Sequence, residues 1–219
     1  MKKAAVVLAG CGVYDGAEIH EAVLTMLALD QRDVEMTIFA PDIEQMHVVN
    51  HLDGSEMAEK RNVLVEAARI ARGNIKDLAQ GKGEDFDAIF FPGGFGVAKN
   101  LCNLAVKGAD CEIDPEVLRF IQEGLKNRKA LGFACIAPAM LAKAAASINI
   151  SLNLTIGNDK NTAATIEVMG SKHYNCPTES CIVDIENRVV TTPAYMTGQR
   201  ISEVWTGIQK MVLEVLKLI

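Results

Sequence analysis

The stretch that decides the fold is ALGFACIAP, at positions 130–138. Ala130 to Ala134 form an apolar run without polar alternation, which is typical of a strand buried on both faces of a parallel sheet. Cys135 follows this run directly, and Pro138 is acceptable in the first turn of a helix over residues 136–146. The stretch therefore predicts a buried strand, a sharp turn that carries a cysteine, and a helix.

Buried strands and amphipathic helices alternate in both directions from this stretch. Further strands are predicted at residues 3–9, 34–40, 87–91, 152–156, 181–184 and 189–192. Further helices are predicted at residues 17–27, 57–79, 114–127, 162–169 and 199–218, and a long loop at residues 42–56. This alternation predicts an α/β fold in which helices cover both faces of a mostly parallel sheet.

The composition fits one globular domain over residues 1–219, since 49% of the residues are hydrophobic and 23% are charged. The net charge of −6 disfavours nonspecific binding to nucleic acid. The apolar stretch at residues 4–9 is too short for the core of a signal peptide or for a membrane span. We therefore expect a soluble, cytoplasmic protein that binds neither nucleic acid nor membranes.

The six cysteines do not indicate a disulfide framework, because that pattern belongs to short secreted chains. No pair has the CxxC spacing of a zinc ribbon. Most of the cysteines are expected to be small buried hydrophobic residues. Cys11 ends the first strand and is a candidate neighbour of Cys135. The cysteines are Cys11, Cys102, Cys111, Cys135, Cys176 and Cys181.

Three strand ends, at residues 10–18, 92–96 and 134–138, are predicted to meet at one edge of the sheet, where such folds bind ligands. Cys135 sits in the turn between a strand and a helix, as the nucleophile of a nucleophile elbow does. The helix N-terminus would favour its thiolate. The bulky Phe133 departs from that pattern, and the alternative is a buried structural cysteine.

Two further features near Cys135 are candidates for catalytic roles. Backbone amides of Gly93 or Gly94, together with that of Ile136, are predicted to stabilise an oxyanion, although an ordinary tight turn explains the glycines equally well. Glu18, near the start of the first helix, is a candidate acid and base beside the thiol. Taken alone, a glutamate there is more often a partner of the helix dipole.

Longer blocks around these sites resemble the ElbB group, within the ThiJ/PfpI branch of the class I glutamine amidotransferase-like superfamily. The group contains the enhancing lycopene biosynthesis proteins, also described as isoprenoid biosynthesis proteins with an amidotransferase-like domain. The resemblance covers nearly the whole chain. The blocks are GCGVYDG at 10–16, EIHE at 18–21, RNVL at 61–64, FPGGFG at 91–96, AKNL at 98–101, CIAP at 135–138 and VTTPA at 190–194.

The resemblance implies a flavodoxin-like three-layer sandwich that forms a homodimer. It also implies a glyoxalase that needs no cofactor or metal, with Cys135 as nucleophile and Glu18 beside it, which converts the small aldehyde glyoxal to glycolate. Asn62, on the helix after residue 56, is a candidate pocket residue. Its alternative is a solvated helix face.

Two departures from the superfamily bear on the function. Many relatives carry a histidine directly after the nucleophile, where this sequence has Ile136. The late histidine, His173, lacks the His-x-Glu pattern of true glutamine amidotransferases. Release of ammonia from glutamine is therefore disfavoured. The remaining alternative is a noncatalytic redox or stress sensor, associated with isoprenoid metabolism, that uses the same cysteine.

Overall fold

The computed structural model describes residues 1–219 and contains nine strands and seven α-helices. The strands are β1 (Lys3–Val7), β2 (Glu35–Ala40), β3 (Lys76–Asp77), β4 (Ala88–Phe91), β5 (Ala130–Ala134), β6 (Asn153–Leu154), β7 (Lys172–His173), β8 (Ile182–Asp184) and β9 (Val189–Thr192). The helices are α1 (Ile19–Asp30), α2 (Val63–Ile70), α3 (Leu104–Lys107), α4 (Pro115–Lys126), α5 (Ala137–Ala146), α6 (Lys160–Val168) and α7 (Ile201–Lys217).

Seven of the strands form one sheet in the order β3-β2-β1-β4-β5-β9-β8. All neighbours in it are parallel except β8, which pairs antiparallel with β9. Strands β6 and β7 form a separate small parallel sheet. The predicted flavodoxin-like α/β sandwich is confirmed.

Both faces of the sheet are buried, and alternate residues of each strand point to opposite faces. In β1, Ala5 and Val7 pack into the core that also contains α4 and α5, whereas Ala4 and Val6 pack toward α1, α2 and α7. This explains why the strands have no polar alternation: neither face of a central strand meets water.

Two predicted elements differ from the observed ones. The helix predicted at residues 57–79 is only α2, because Asn62 caps its N-terminus and Arg72 and Gly73 both adopt positive φ after its end. Before the cap, Met57 donates a backbone hydrogen bond to Val48, so this part belongs to the preceding loop. The strand predicted at residues 152–156 is shorter and lies outside the main sheet, as β6.

The carboxyl ends of β1, β4, β5 and β9 lie side by side at one edge of the sheet, because these four strands are adjacent and parallel. The segments that follow them, at residues 8–18, 92–96, 135–136 and 193–196, therefore converge there. None of the helices combines the length and the apolar character that a membrane crossing requires.

Candidate active site

Cys135 occupies the turn between β5 and α5 with a φ of +61°. A residue other than glycine is strained in this left-handed region, and such strain is typical of the nucleophile elbow. A backbone hydrogen bond ties the turn to the end of β9, since the Cys135 amide donates to the carbonyl oxygen of Thr192 at 3.0 Å. Only 8% of the residue is exposed, so the thiol faces the inside of the site.

Opposing influences act on the pKa of the Cys135 thiol. Burial and the neighbouring Glu21 carboxyl raise it well above its ordinary value, and burial is the larger cause. The neighbouring backbone amides of Gly94 and Ile136 act in the opposite direction and lower the pKa. These two amides would support negative charge on the sulfur, or on an oxygen formed next to it.

Glu21, on the first turn of α1, is fully buried against Cys135. Its Oε2 accepts from the Gly93 amide at 2.9 Å, and its Oε1 accepts from the Tyr195 amide at 3.1 Å. Burial raises the pKa of this carboxyl to about 8. Because the carboxyl lies against the thiol, Glu21 and Cys135 form a coupled pair in which ionisation of one group opposes ionisation of the other.

The two predicted glycines have different tasks. The Gly93 amide is taken by Glu21, so only Gly94 presents its amide to the sulfur. A Cβ on Gly93 would lie 2.3 Å from the Cys135 Cβ and 2.6 Å from Glu21 Oε2, so a side chain there would displace both groups. Gly94 has a φ of +101°, and a Cβ on it would lie 2.3 Å from the Glu18 nitrogen.

Glu18 caps α1, because its Oε2 accepts from the Glu21 amide at 2.7 Å. Its own amide donates to the Gly93 carbonyl oxygen at 2.9 Å, which ties the helix start to the glycine loop. Burial raises the pKa of its carboxyl. The side chain is thus both a helix cap and a wall of the cavity in front of Cys135.

That cavity has a volume of about 360 Å³. Its lining consists of Val13, Glu18, Gly94, Phe95, Cys135, Ile136, Thr162, Tyr195 and Met196. The Tyr195 hydroxyl lies 2.8 Å from Nδ1 of His20, so a histidine on the surface of α1 is linked to the cavity through a phenol. Burial raises the pKa of this phenol.

Two predicted pocket residues lie away from this cavity. Burial raises the pKa of the Cys11 thiol, and of its charged neighbours on α2 Glu66 adds to this shift while Arg69 opposes it. No disulfide joins Cys11 to Cys135, since both are free cysteines. Asn62 uses its side chain to cap α2 and to donate to Asp42 at 2.7 Å.

His173 is also structural, since its Nε2 accepts from the Ile156 amide at 3.3 Å. No group of three or more histidine, cysteine or acidic side chains is arranged to hold a metal ion.

Known proteins with similar sequences place the chain in a family. A rat protein named ES1 protein homolog, mitochondrial, is 43% identical over 226 residues, which span 99% of this chain and 84% of the rat protein. The chain belongs to the ES1 family of glutamine amidotransferase-like proteins. The human family member, glutamine amidotransferase-like class 1 domain-containing protein 3, mitochondrial, is also 43% identical, over 99% of this chain and 83% of its own length. No family model matches the sequence.

Two solved structures are similar to this chain, one in sequence and fold and the other in fold alone. An Ehrlichia chaffeensis isoprenoid biosynthesis protein with an amidotransferase-like domain is 40% identical, with a TM-score of 0.94 over 100% of this chain and 99% of that one. Drosophila melanogaster DJ-1beta is 17% identical, with a TM-score of 0.61 over 99% of this chain and 95% of its own, and shares the fold.

The ES1 relatives correct one expectation. The rat, human and zebrafish proteins are all named as mitochondrial, so the predicted cytoplasmic location is wrong for this family. That expectation rested on the absence of an apolar leader, which is not the feature that marks mitochondrial import.

Sequence patterns in this ES1-family chain do not single out three residues of the site. Glu21 lies in the EIHE block with Glu18. Which of the two carboxyl groups contacts the thiol depends on how α1 is oriented relative to Cys135, and the sequence does not show this. Tyr195 follows the VTTPA block, in the short helical turn at Ala194–Met196 after β9. The contact of its hydroxyl with His20 joins residues far apart in the sequence.

Proposed function

We propose that this ES1-family chain is an ElbB-like, cofactor-free glyoxalase that converts glyoxal to glycolate with Cys135 as the nucleophile. One observation carries the proposal. The Cys135 sulfur faces the amides of Gly94 and Ile136, contacts the carboxyl of Glu21, and opens into a cavity that Glu18 also lines. A nucleophile, an oxyanion site and two carboxyl groups with raised pKa values are thus in one place.

The first step is addition of the sulfur to one aldehyde carbon. In the fraction of molecules in which Glu21 has lost its own proton, its carboxylate takes the thiol proton, so that the new carbon–sulfur bond forms from a thiolate. The aldehyde oxygen becomes an oxyanion beside the amides of Gly94 and Ile136. Protonation of this oxygen gives a hemithioacetal.

The second step moves hydrogen between the two carbons without any external oxidant. Glu18 removes the proton from the carbon that carries sulfur, which gives an enediol, and a proton returns to the neighbouring carbon. The first carbon is thereby oxidised to a thioester and the second is reduced to an alcohol. Water then cleaves the thioester, which releases glycolate and restores the Cys135 thiol.

Glu18 and Glu21 divide the proton transfers in this proposal. Glu21 is enclosed between Cys135 and two backbone amides, so its proton goes to or from sulfur. Glu18 lines the open cavity, so its carboxyl can reach a bound substrate. Glu18 thus acts as acid and base at the carbon atoms of the substrate, and Glu21 does so at the thiol.

Turnover of glyoxal tests the proposal, with glycolate measured by NMR for the wild type, Cys135→Ala and Glu18→Gln. We expect glycolate only where Cys135 is present, and a large loss of kcat in Glu18→Gln. Cys11→Ala is the matched control, because that thiol lies outside the cavity. Turnover by the wild type no faster than by free thiol, or equal turnover by Cys135→Ala, would overturn the proposal.

A second candidate function, a redox sensor, is favoured by the same two amides. Groups that stabilise an oxyanion would also stabilise the oxygens of a Cys135 sulfinate. Peptide mapping after mild peroxide treatment tests this: selective oxidation of Cys135 supports a sensor, and preferential oxidation of the other cysteines contradicts it.

The homodimer stays a prediction. Sedimentation equilibrium of the purified chain would measure its oligomeric state.

A further inference from the structure

Two cysteines outside the active site, Cys102 and Cys111, lie at the two ends of the segment that contains α3. Cys102 forms an isolated antiparallel bridge with Ile113, and beside it the Asn103 amide donates to the Glu112 carbonyl oxygen at 3.1 Å. Side chains two residues apart on extended backbone point to the same side. Cys111 therefore shares the side of Ile113 and faces Cys102 diagonally across this contact.

The two thiols are buried next to each other. Cys102 is 3% exposed and Cys111 is 1% exposed, and both belong to the same apolar core. Each thiol is the largest influence on the pKa of the other, which is raised for Cys102 and lowered for Cys111. Groups influence each other this strongly only over a few ångströms, so the sulfur atoms are neighbours. Both are free cysteines, so the pair is a dithiol.

Cys111 is the more acidic thiol of the pair. The Lys143 side chain of α5 donates to the Ala109 carbonyl oxygen at 2.8 Å, which holds its ammonium group close to the turn before Cys111. Cys102 is the main cause that lowers the pKa of Cys111, and Lys143 adds to it, while burial opposes both. A lowered pKa makes the thiolate more populated, and the thiolate is the form that attacks an oxidant.

A cavity of about 420 Å³ opens onto the turn that carries Cys111. Ala109 and Asp110, which directly precede this cysteine, line the cavity together with Lys143. A water molecule occupies about 30 Å³ in the liquid, so the cavity readily admits an oxidant as small as hydrogen peroxide. It shares no lining residue with the cavity in front of Cys135, so the dithiol has a separate approach from solvent.

We propose that Cys102 and Cys111 form a reversible disulfide, with hydrogen peroxide as the oxidant, at a modification site separate from Cys135. The Cys111 thiolate attacks one peroxide oxygen and the O–O bond breaks, which gives a sulfenic acid, and the other oxygen takes a proton and leaves as water. The Cys102 sulfur then attacks the Cys111 sulfur, the S–O bond breaks, and a second water leaves with the Cys102 proton. Two thiols and one peroxide thus give one disulfide and two waters.

Peptide mapping without a reductant tests the site. The purified chain is treated with peroxide, blocked with iodoacetamide in urea and cut with trypsin. Because trypsin cleaves after Lys107, the disulfide should join two separate peptides, 100–107 and 108–119, and dithiothreitol should release them. The joined peptides should form equally in Cys135→Ala, because the site does not depend on the glyoxalase function. Oxidation of this pair ahead of Cys135 would support the proposal and count against the redox sensor at Cys135.

Variants of the two cysteines separate their roles. In Cys102→Ala the sulfenic acid of Cys111 has no thiol to condense with, so dimedone should trap it, whereas in Cys111→Ala the Cys102 thiol should stay reduced. Cys176→Ala is the matched control, since Cys176 is also buried but lies elsewhere in the chain, and the joined peptides should form at the wild-type rate. Recovery of both thiols in reduced form from wild type in which Cys11 is oxidised would overturn the proposal. Joined peptides found only in covalent dimers on a non-reducing gel would overturn it as well.

Discussion

The carboxyl group of Glu21 is fully buried and lies against the thiol of Cys135. The two backbone amides on Glu21, from Gly93 and Tyr195, come from the segments after β4 and β9, so three separate parts of the chain fix this one contact. Neither oxygen is free to turn away from the sulfur. The Glu21 carboxyl is therefore held in a defined place beside the sulfur before any substrate arrives.

Glu21→Gln should lower kcat/KM for glyoxal by about 100-fold or more, the lower end of what a positioned acid or base contributes. A carboxyl group accepts from both backbone amides, whereas the amide nitrogen of glutamine cannot accept from either. Steady-state kinetics and the rate of Cys135 alkylation measure the effect. Glu18→Gln separates the roles: it should slow turnover but leave alkylation near the wild-type rate. Equal alkylation rates in wild type and Glu21→Gln would count against a proton-holding role for Glu21.

The raised pKa of Glu21 makes stability depend on pH. Between the ordinary value of 4.5 and about 8, the unfolded chain has lost this proton while the folded chain keeps it. The free energy of unfolding of the wild type, relative to Glu21→Gln, should therefore fall by about 1.4 kcal/mol per pH unit across this window. Below the window the difference between the two proteins should be constant. Urea unfolding from pH 4 to pH 9 measures it, and parallel profiles would show that Glu21 ionises normally.

Gly93→Ala should abolish activity, because the added Cβ would overlap Cys135 and Glu21. Overpacking of this kind costs about 1–3 kcal/mol and displaces the side chains that it meets. Gly73→Ala is the control: its position has a φ of +80° and no atom within 4 Å of the added Cβ, so only backbone strain of about 1–2 kcal/mol applies. Turnover and chemical unfolding of both variants test this. Full activity of Gly93→Ala would refute the observed proximity of the three residues.

Tyr195→Phe should lower kcat by about threefold to tenfold, the value of one net hydrogen bond. The change removes the hydroxyl that lies between the cavity and His20 but keeps the ring and the backbone amide on Glu21. Tyr174→Phe is the matched control, because Tyr174 is exposed and does not line the cavity. A loss in KM alone, with kcat unchanged, would mean that the hydroxyl only binds substrate.

Much of the fold could be predicted because the relevant signals are local. The strand at residues 130–134 has the predicted bounds, because an unbroken apolar run of this length is typical of a strand buried on both faces of a parallel sheet. The start of α4 is also a local signal, because aspartate is a favoured N-cap and proline fits the first turn. In the structure, Asp114 accepts from two backbone amides and the helix begins at Pro115. Cys135 could be found because a strand-to-helix turn is itself a local pattern.

The remaining features depend on long-range contacts. The helix predicted from residue 57 begins only at Val63, because Met57 pairs with the backbone of Val48 instead. Likewise, Glu18 and Glu21 lie on one helical turn and are indistinguishable in sequence. Only the packing of α1 against the segment that contains Gly93 places Glu21 beside the sulfur and Glu18 at the cavity.

Covalent capture of Cys135 during turnover tests the central claim most directly. Reaction of Glu18→Gln with glyoxal, quenched by acid and mapped by mass spectrometry, should trap the hemithioacetal on Cys135, because the proton transfer that follows its formation is slowed. Wild type treated in the same way should show less adduct and release glycolate. An adduct confined to other cysteines, with Cys135 unmodified while glycolate is still formed, would contradict the account.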